Sequence, residues 1–272
     1  MSRRATPWWV GLGVAAALAF CLFPFAWQIL TSFRPEGVPA LPGAPEGASL
    51  GAYAAVLSRP DFLRAVLNSF AVAALTTALN LALGAPGAFA LAKLPVPGRG
   101  LVLAAALAVS MLPPVSTVGP LFLALKAIGL RDSALGLVLP YTTFSLPLTL
   151  WILTAFFREL PDELLQAARV DGCGPLQALR HVFLPLAAPG LATTGLLVFI
   201  FSWNELLYAL TFTSSPDQRT IPVAIALFAA GYREPYAEIA AATVLVTLPL
   251  IALTLAFQRR IIAGLTAGAL KG

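Results

Sequence analysis

The side chains able to do chemistry in this chain gather in two stretches. The first is the charged sequence Glu159-Leu-Pro-Asp-Glu-Leu-Leu-Gln-Ala-Ala-Arg-Val-Asp-Gly172, which runs on to Phe183-Leu-Pro-Leu186. Set between two long apolar runs, it suits the docking of a soluble partner at a membrane surface. The second is Ser202-Trp-Asn-Glu-Leu-Leu-Tyr208, where Glu205 stands beside Trp203, Asn204 and Tyr208. Ionisable residues at membrane depth usually face a cavity, a partner or the bundle interior. Aromatic and polar side chains together suit a sugar, whose ring faces stack while its hydroxyls need hydrogen bonds. The competing reading is structural: Trp203 and Tyr208 form an interfacial belt and Glu205 caps or pairs locally.

Other chemistries are excluded by what the chain lacks. Its three lysines, Lys93, Lys126 and Lys271, never follow a glycine, so no Walker A phosphate loop can form. The single histidine, His181, has no partner for a metal site or a Ser-His-Asp set, and the two cysteines, Cys21 and Cys173, fall on opposite sides of the expected topology. The chain is not expected to be an enzyme. It calls for no cofactor of its own and should not hydrolyse ATP itself, so energy would enter through a separate nucleotide-binding subunit or from an ion gradient.

The elements that must position these residues are read from composition. Apolar residues make up 59% of the chain and charged residues 11%, with a mean hydropathy of +0.86; a soluble chain carries roughly 25% charged residues. Dividing the sequence at its charges leaves six charge-free runs of at least 20 residues, at 5–33, 65–92, 100–125, 133–157, 181–204 and 239–258. A bilayer core of about 30 Å needs roughly 20 helical residues, so each run can span. Such continuous runs exclude the alternating strands of a membrane β-barrel. The expectation is an all-α polytopic protein, one transmembrane domain over 1–272 with spans near 8–30, 66–92, 101–125, 134–157, 182–206 and 239–257. The first run is too long for a signal-peptide core and lacks a small-residue cleavage site, so it reads as a retained helix.

Basic residues orient the spans. With the amino terminus inside, Arg3, Arg4, Lys93, Arg99, Arg158, Arg169, Arg180, Arg259, Arg260 and Lys271 lie on the cytoplasmic side, and Arg34, Arg59, Arg64, Lys126, Arg131, Arg219 and Arg233 outside. The bias follows the positive-inside rule and places both termini in the cytoplasm. The net charge of +5 then belongs to topology, and no basic tract suits nucleic acid. Segment 158–186 becomes a cytoplasmic loop, while 31–64 and 211–238 lie outside and are rich in turn formers such as Pro39-Ala-Leu-Pro-Gly-Ala-Pro45. An interfacial turn is expected at Asp61–Arg64. Asn80, Thr76 and Thr77 are expected to bridge helices. Pro113-Pro114, Pro140, Pro147 and Pro249 are expected to kink or break them.

Within the cytoplasmic loop, Pro161 suits a first helical position, Asp162 and Glu163 favour the positive end of a helix dipole, and Gly172 is a natural stop. The expected helix, 162–171, is about ten residues or roughly 15 Å long. Ala167 and Ala168 would leave a smooth patch for close approach by another surface. Pro185 and Pro189 mark the entry to the fifth span.

The spacing Gln166-Ala-Ala-Xaa3-Gly followed by Leu184-Pro185 resembles the EAA coupling motif of permease subunits of ABC importers. The likeness extends to Pro24-Phe-Ala-Trp-Gln-Ile-Leu-Thr-Ser-Phe-Arg-Pro35, Asn68-Ser69, Ser202–Tyr208 and Thr220-Ile-Pro-Val223, which resemble carbohydrate importer permeases of the maltose type. The tail Gln258-Arg-Arg-Ile-Ile-Ala-Gly-Leu-Thr-Ala-Gly-Ala-Leu-Lys-Gly272 resembles the second, maltose-G-like permease of such systems. Phe156-Phe-Arg-Glu-Leu-Pro161, Pro185-Leu-Ala-Ala-Pro-Gly190 and Phe257-Gln-Arg-Arg260 are similar to permeases of trehalose importers. The resemblance implies a bacterial-type inner-membrane subunit that forms a heterodimer with a second permease. It further implies two ATP-binding subunits, an extracytoplasmic sugar-binding protein, and a disaccharide such as trehalose or maltose as cargo. It assigns coupling to Glu163, Gln166, Ala167, Ala168, Asp171 and Gly172. The family's opening acidic residue is Gln166 here, so that position offers a hydrogen bond without a charge, and Glu163 one turn earlier is a substitute. A polyol or glycerol phosphate is the alternative cargo, and an ATP-independent transporter the alternative class.

Overall fold

In the computed structural model the described residues are 8–35, 47–228 and 235–267, with side chains as far as Gln258. Arg3, Arg4, the turn at Pro39–Pro45, Arg233 and the tail after Gln258, all used above, lie outside the residues whose side chains are described. Regular structure among the described residues is helical throughout. Four helices are long and apolar enough to cross a membrane singly: α1 (Trp8–Ser32), α3 (Pro60–Lys93), α6 (Ala134–Glu159) and α13 (Tyr236–Ala267, of which Tyr236–Gln258 qualifies). A short helix, α2 (Gly51–Leu57), precedes α3. The expected turn at Asp61–Arg64 is absent. Pro60 instead occupies the first position of a continuous 34-residue helix, where its missing N–H costs nothing and Asp61 faces the positive end of the dipole.

Two of the six apolar runs are bent. The third is divided into α4 (Arg99–Ser110) and α5 (Pro114–Ala127), set at 91°. Pro113 adopts an extended conformation because a residue before proline is pushed out of the helical region, and Pro114 then opens α5. Hydroxyls bond carbonyls on both sides of the break: Ser110 Oγ donates to Leu107 O at the end of α4, and Ser116 Oγ to Pro113 O and Thr117 Oγ1 to Pro114 O at the start of α5, each at 2.7 Å. In the fifth run, α8 (Pro175–Ala178), a π-helical turn (Leu179–Phe183) and α9 (Leu184–Leu186) form one arm, set at 82° to α10 (Ala188–Asn204). The run expected to span from about 182 to 206 is therefore bent, with its longer helix, α10, starting at Ala188. Pro140, Pro147 and Pro249, by contrast, lie inside unbroken helices.

The chain divides into two compact units. The first comprises residues up to Leu63 together with Ile225–Leu248. Within it Ser32 Oγ and Tyr53 Oη lie 2.6 Å apart, and Arg59 pairs with Glu238 while its guanidinium sits 4.7 Å from the centre of the Phe228 ring. Apart from Thr31 and Ser32, α1 buries nothing, so its apolar surface is left for lipid or another chain.

The second unit, Arg64–Ala224 with the chain from Pro249, is built on α3, α6 and α10. Membrane helices gain from van der Waals packing rather than from escape from water, and small residues let their backbones approach. A Cβ on Gly84 of α3 would lie 2.4 Å from Thr149 Cγ2 of α6, and one on Gly190 of α10 would lie 2.8 Å from the Phe156 ring of α6. Hydrogen bonds fasten the same α3–α6 face. Asn80 Nδ2 donates to Ser145 Oγ at 2.8 Å and Thr149 Oγ1 donates to Asn80 Oδ1 at 3.2 Å. Thr77 instead bonds its own helix, to Ala73 O. At one end of the unit an apolar cluster gathers Phe89, Phe157, Phe183, Leu165 and Ala168. At the opposite end a second cluster includes Tyr141, Tyr208, Phe212 and Val138. α11 (Leu207–Phe212) follows α10 after a break at Glu205–Leu206, and α12 (Ile221–Phe228) lies beyond a 3₁₀ turn at Pro216–Gln218.

Candidate functional site

The charged loop folds into a short surface helix, α7 (Glu163–Val170). It is eight residues long, or about 12 Å, shorter than expected at both ends. Pro161 precedes the helix instead of opening it, and Asp162 is the cap, accepting Leu165 N at 3.0 Å through its backbone carbonyl. The far end closes as Gly172 would dictate. Gly172 has φ +80° and its N–H bonds Arg169 O at 3.0 Å, while Cys173 N–H bonds Ala168 O at 2.8 Å. These are the two bonds of a Schellman turn, which satisfies carbonyls the helix end would leave open.

Two faces result. Leu165 and Ala168, three residues apart, are buried in the apolar cluster that contains Phe89 and Phe157. Glu163, Gln166, Ala167, Arg169, Val170, Asp171 and Gly172 are exposed. The smooth patch expected from two adjacent alanines is thus only half present. Consecutive helical residues point about 100° apart, so Ala167 faces out and Ala168 packs beneath the helix. Val170 is 87% exposed and Leu176, in the next helix, 71%, giving an outer face of mixed charge and apolar bulk.

Lys93, noticed in the sequence only as a basic residue on the cytoplasmic side, holds this helix in place. Its side chain is 3% exposed, and Nζ lies 2.5 Å from both Leu160 O and Asp162 Oδ1. One ammonium thus meets a terminal carbonyl of α6 and the cap of α7. The bond and charge of Lys93 hold the Asp162 carboxyl below its ordinary pKa. Farther along, the Phe183 ring sits 4.9 Å from that of Phe89 and 6.3 Å from that of Phe157. Residues 67 and 94 positions apart carry no signal that sequence spacing could have revealed.

At the break after α10, the four candidate pathway residues separate. Trp203 is 3% exposed and stacks on Phe199 with centroids 5.7 Å apart, so it is a packed residue and not part of an interfacial belt. Tyr208 is also buried, stacked on Phe144 at 5.4 Å, with its hydroxyl 2.7 Å from Thr117 Oγ1 of α5. Asn204 is exposed and its amide donates to Ile200 O. Glu205 accepts from Tyr141 Oη at 2.6 Å, Tyr208 N at 2.9 Å and Ala209 N at 3.2 Å. Its carboxylate caps α11 and ties it to α6.

Two clasps at the α11 end of the unit also escaped the sequence reading. Asn68 Nδ2 donates to Asp217 O at 2.7 Å and Arg219 O at 3.0 Å, Arg64 pairs with Asp217, and Ser69 Oγ accepts from Ile221 N at 2.8 Å. Two separately quoted motif fragments, Asn68-Ser69 and Thr220–Val223, are therefore each other's neighbours. Asp132, with φ 59°, accepts from Ser214 N at 2.7 Å and Ser215 N at 3.1 Å. The Ser214 amide is the main cause of an Asp132 pKa below its ordinary value.

Comparison with known proteins agrees with this architecture. The model of the binding-protein-dependent transport system inner membrane component matches residues 47–266. The chain is 44% identical to the trehalose transport system permease protein SugB of Mycobacterium tuberculosis, over 100% of this chain and 99% of that protein. It is 40% identical to the trehalose/maltose transport system permease protein MalG of Thermococcus litoralis, covering 96% and 95%. It is also 40% identical to the sulfoquinovosyl glycerol transport system permease protein SmoH of Agrobacterium fabrum, covering 92% and 89%. Among solved structures, a chain of a bacterial ABC transporter involved in the import of the acidic polysaccharide alginate shares the fold. Its TM-score is 0.76 at 22% identity, covering 95% of this chain and 98% of that one.

Proposed function

Since the chain belongs to the binding-protein-dependent transport system inner membrane components, we propose that it carries a disaccharide, trehalose or maltose, across the inner membrane. It is the permease subunit of an ATP-driven ABC importer, a multi-pass membrane protein. In this reading it pairs with a second, related permease, the assembly carries two ATP-binding subunits, one of which docks on this chain's cytoplasmic loop, and an extracytoplasmic binding protein delivers the sugar. Both termini lie in the cytoplasm. ATP and Mg belong to the partner subunits, and this chain supplies motion and a path rather than catalysis. The observation that carries the cargo is the full-length identity to a trehalose permease.

The mechanism follows from the loop. The exposed face of α7, with Glu163, Gln166, Ala167, Asp171 and Gly172, meets an ATPase subunit, and Gln166 contributes an uncharged hydrogen bond. Closure of the ATPases on ATP moves α7, and the spans reorient between inward- and outward-facing states. Asn204 is the exposed polar residue at the outer break and the one of the four candidates best placed to meet a sugar hydroxyl. The 40% identity to a sulfoquinovosyl glycerol permease favours a second reading, in which the cargo is another small glycoside.

Uptake of labelled trehalose and maltose in cells lacking the chain, with and without its restoration, tests the proposal. Uptake that depends on the chain and is blocked by vanadate is expected. Unchanged uptake of both sugars removes the disaccharide and sends the test to glycosides of glycerol.

A further inference from the structure

We infer that Lys93 is a positioning residue that registers the coupling helix against the cytoplasmic ends of α3 and α6, so that the push of the ATPase enters the bundle through those two helices. The inference rests on the coupling role proposed for α7. From the sequence, the push would pass along the chain through Pro185 into the fifth span. In the structure that route is indirect, because the arm from Pro175 to Leu186 meets α10 at 82° and contains a π-helical turn.

The direct route is short. Only Leu160, Pro161 and Asp162 separate α6 from α7, and Lys93, in the last turn of α3, grips both sides of that joint. A buried ammonium is tolerated only when its bonds are met, so the joint is held to the geometry that meets them. Beneath α7, Leu165 and Ala168 pack in the cluster that contains Phe89 of α3 and Phe157 of α6. Beyond α7, Phe183 rests on the same two rings. The start, middle and end of the loop are therefore all fastened to α3 and α6. The same bond to Lys93 is the first cause of the lowered pKa of Asp162.

The test uses the assembled transporter in proteoliposomes, with ATPase subunits and binding protein present. Lys93→Met, Asp162→Asn and the double variant are compared for subunit co-purification, sugar uptake and ATP hydrolysed per sugar imported. Gly172→Pro, which removes the turn after α7, is the reference for the coupling role itself. With Lys93→Met, co-purification is expected to hold, uptake to fall about tenfold, as for one lost charge-assisted bond, and ATP hydrolysed per sugar to rise. Asp162→Asn is expected to shift the same ratio less, because the bond to Leu160 remains. The double variant is expected to be no worse than Lys93→Met, since the two residues act as one pair.

Unchanged coupling in both single variants overturns the inference. Effects that add in the double variant also overturn it, placing Asp162 in direct contact with the ATPase. Where Lys93→Met fails to assemble, Asp162→Asn decides: normal coupling there makes Lys93 a folding residue only. Should Gly172→Pro transport normally as well, the coupling role of the loop falls with the inference. A defect in Gly172→Pro beside normal Lys93 and Asp162 variants removes the inference alone.

Discussion

At Glu205 a carboxylate just past the end of the fifth run meets two amide N–H groups and a phenol. Those three bonds use most of what the group can offer, so its first duty is to hold the break between α10 and α11. Glu205→Gln keeps the volume but replaces one accepting oxygen with an amide that can only donate. It should lower stability by about 1–2 kcal/mol, the worth of a lost helix cap, read as a lower unfolding temperature in nanodiscs. A raised KM for sugar with unchanged unfolding temperature would instead place Glu205 on the cargo. The residue's unusual position was legible from sequence, since carboxylates rarely sit at membrane depth. Its partners were not, because Tyr141 lies 64 positions away and membrane spans show little periodicity to align them. Ala168 marks the same limit. Its type suggested an open patch, and only the rotation of α7 against the cluster decided that it faces inward.

Among the elements, the contact of α3 with α6 sets opposing effects against each other. Replacing a helical glycine with alanine stabilises an exposed helix by about 1 kcal/mol. At Gly84 the new Cβ would stand 2.4 Å from Thr149 Cγ2, an overlap costing about 1–3 kcal/mol in a packed core. Gly84→Ala should therefore destabilise the protein. Adding Thr149→Ser, which removes Cγ2 and keeps the hydroxyl that bonds Asn80, should restore it. Thermal unfolding of the two variants checks both signs; a neutral Gly84→Ala would mean the helices separate freely. Helix existence was readable because a run of twenty apolar residues leaves little choice in lipid. The bends were only partly readable. Pro113-Pro114 breaks a helix, yet Pro140 and Pro147 lie in α6 without dividing it, because neighbouring helices and hydroxyls can satisfy the freed groups.

For the whole molecule, insertion and transport draw on different parts of the chain. Insertion depends on apolar spans, whereas coupling is proposed to depend on a loop outside them. Gly172→Pro separates the two. Proline fixes φ near −65° and cannot adopt the +80° found at Gly172, nor can it donate to Arg169 O. Membrane abundance is expected to stay near wild type while uptake falls at least about tenfold; normal uptake would sink the coupling role of α7. The clasp that Asn68 and Ser69 form on α3 has a different consequence. Asn68 bonds the carbonyls of Asp217 and Arg219, and Ser69 accepts the amide of Ile221. These bonds read backbone and are blind to the identity of the side chains that backbone carries. Apart from Asp217, whose side chain pairs with Arg64, the stretch between α11 and α12 is thus held like type in a frame, free to vary its outward letters while the line stays straight. A lineage can rewrite that face without renegotiating the fold beneath it.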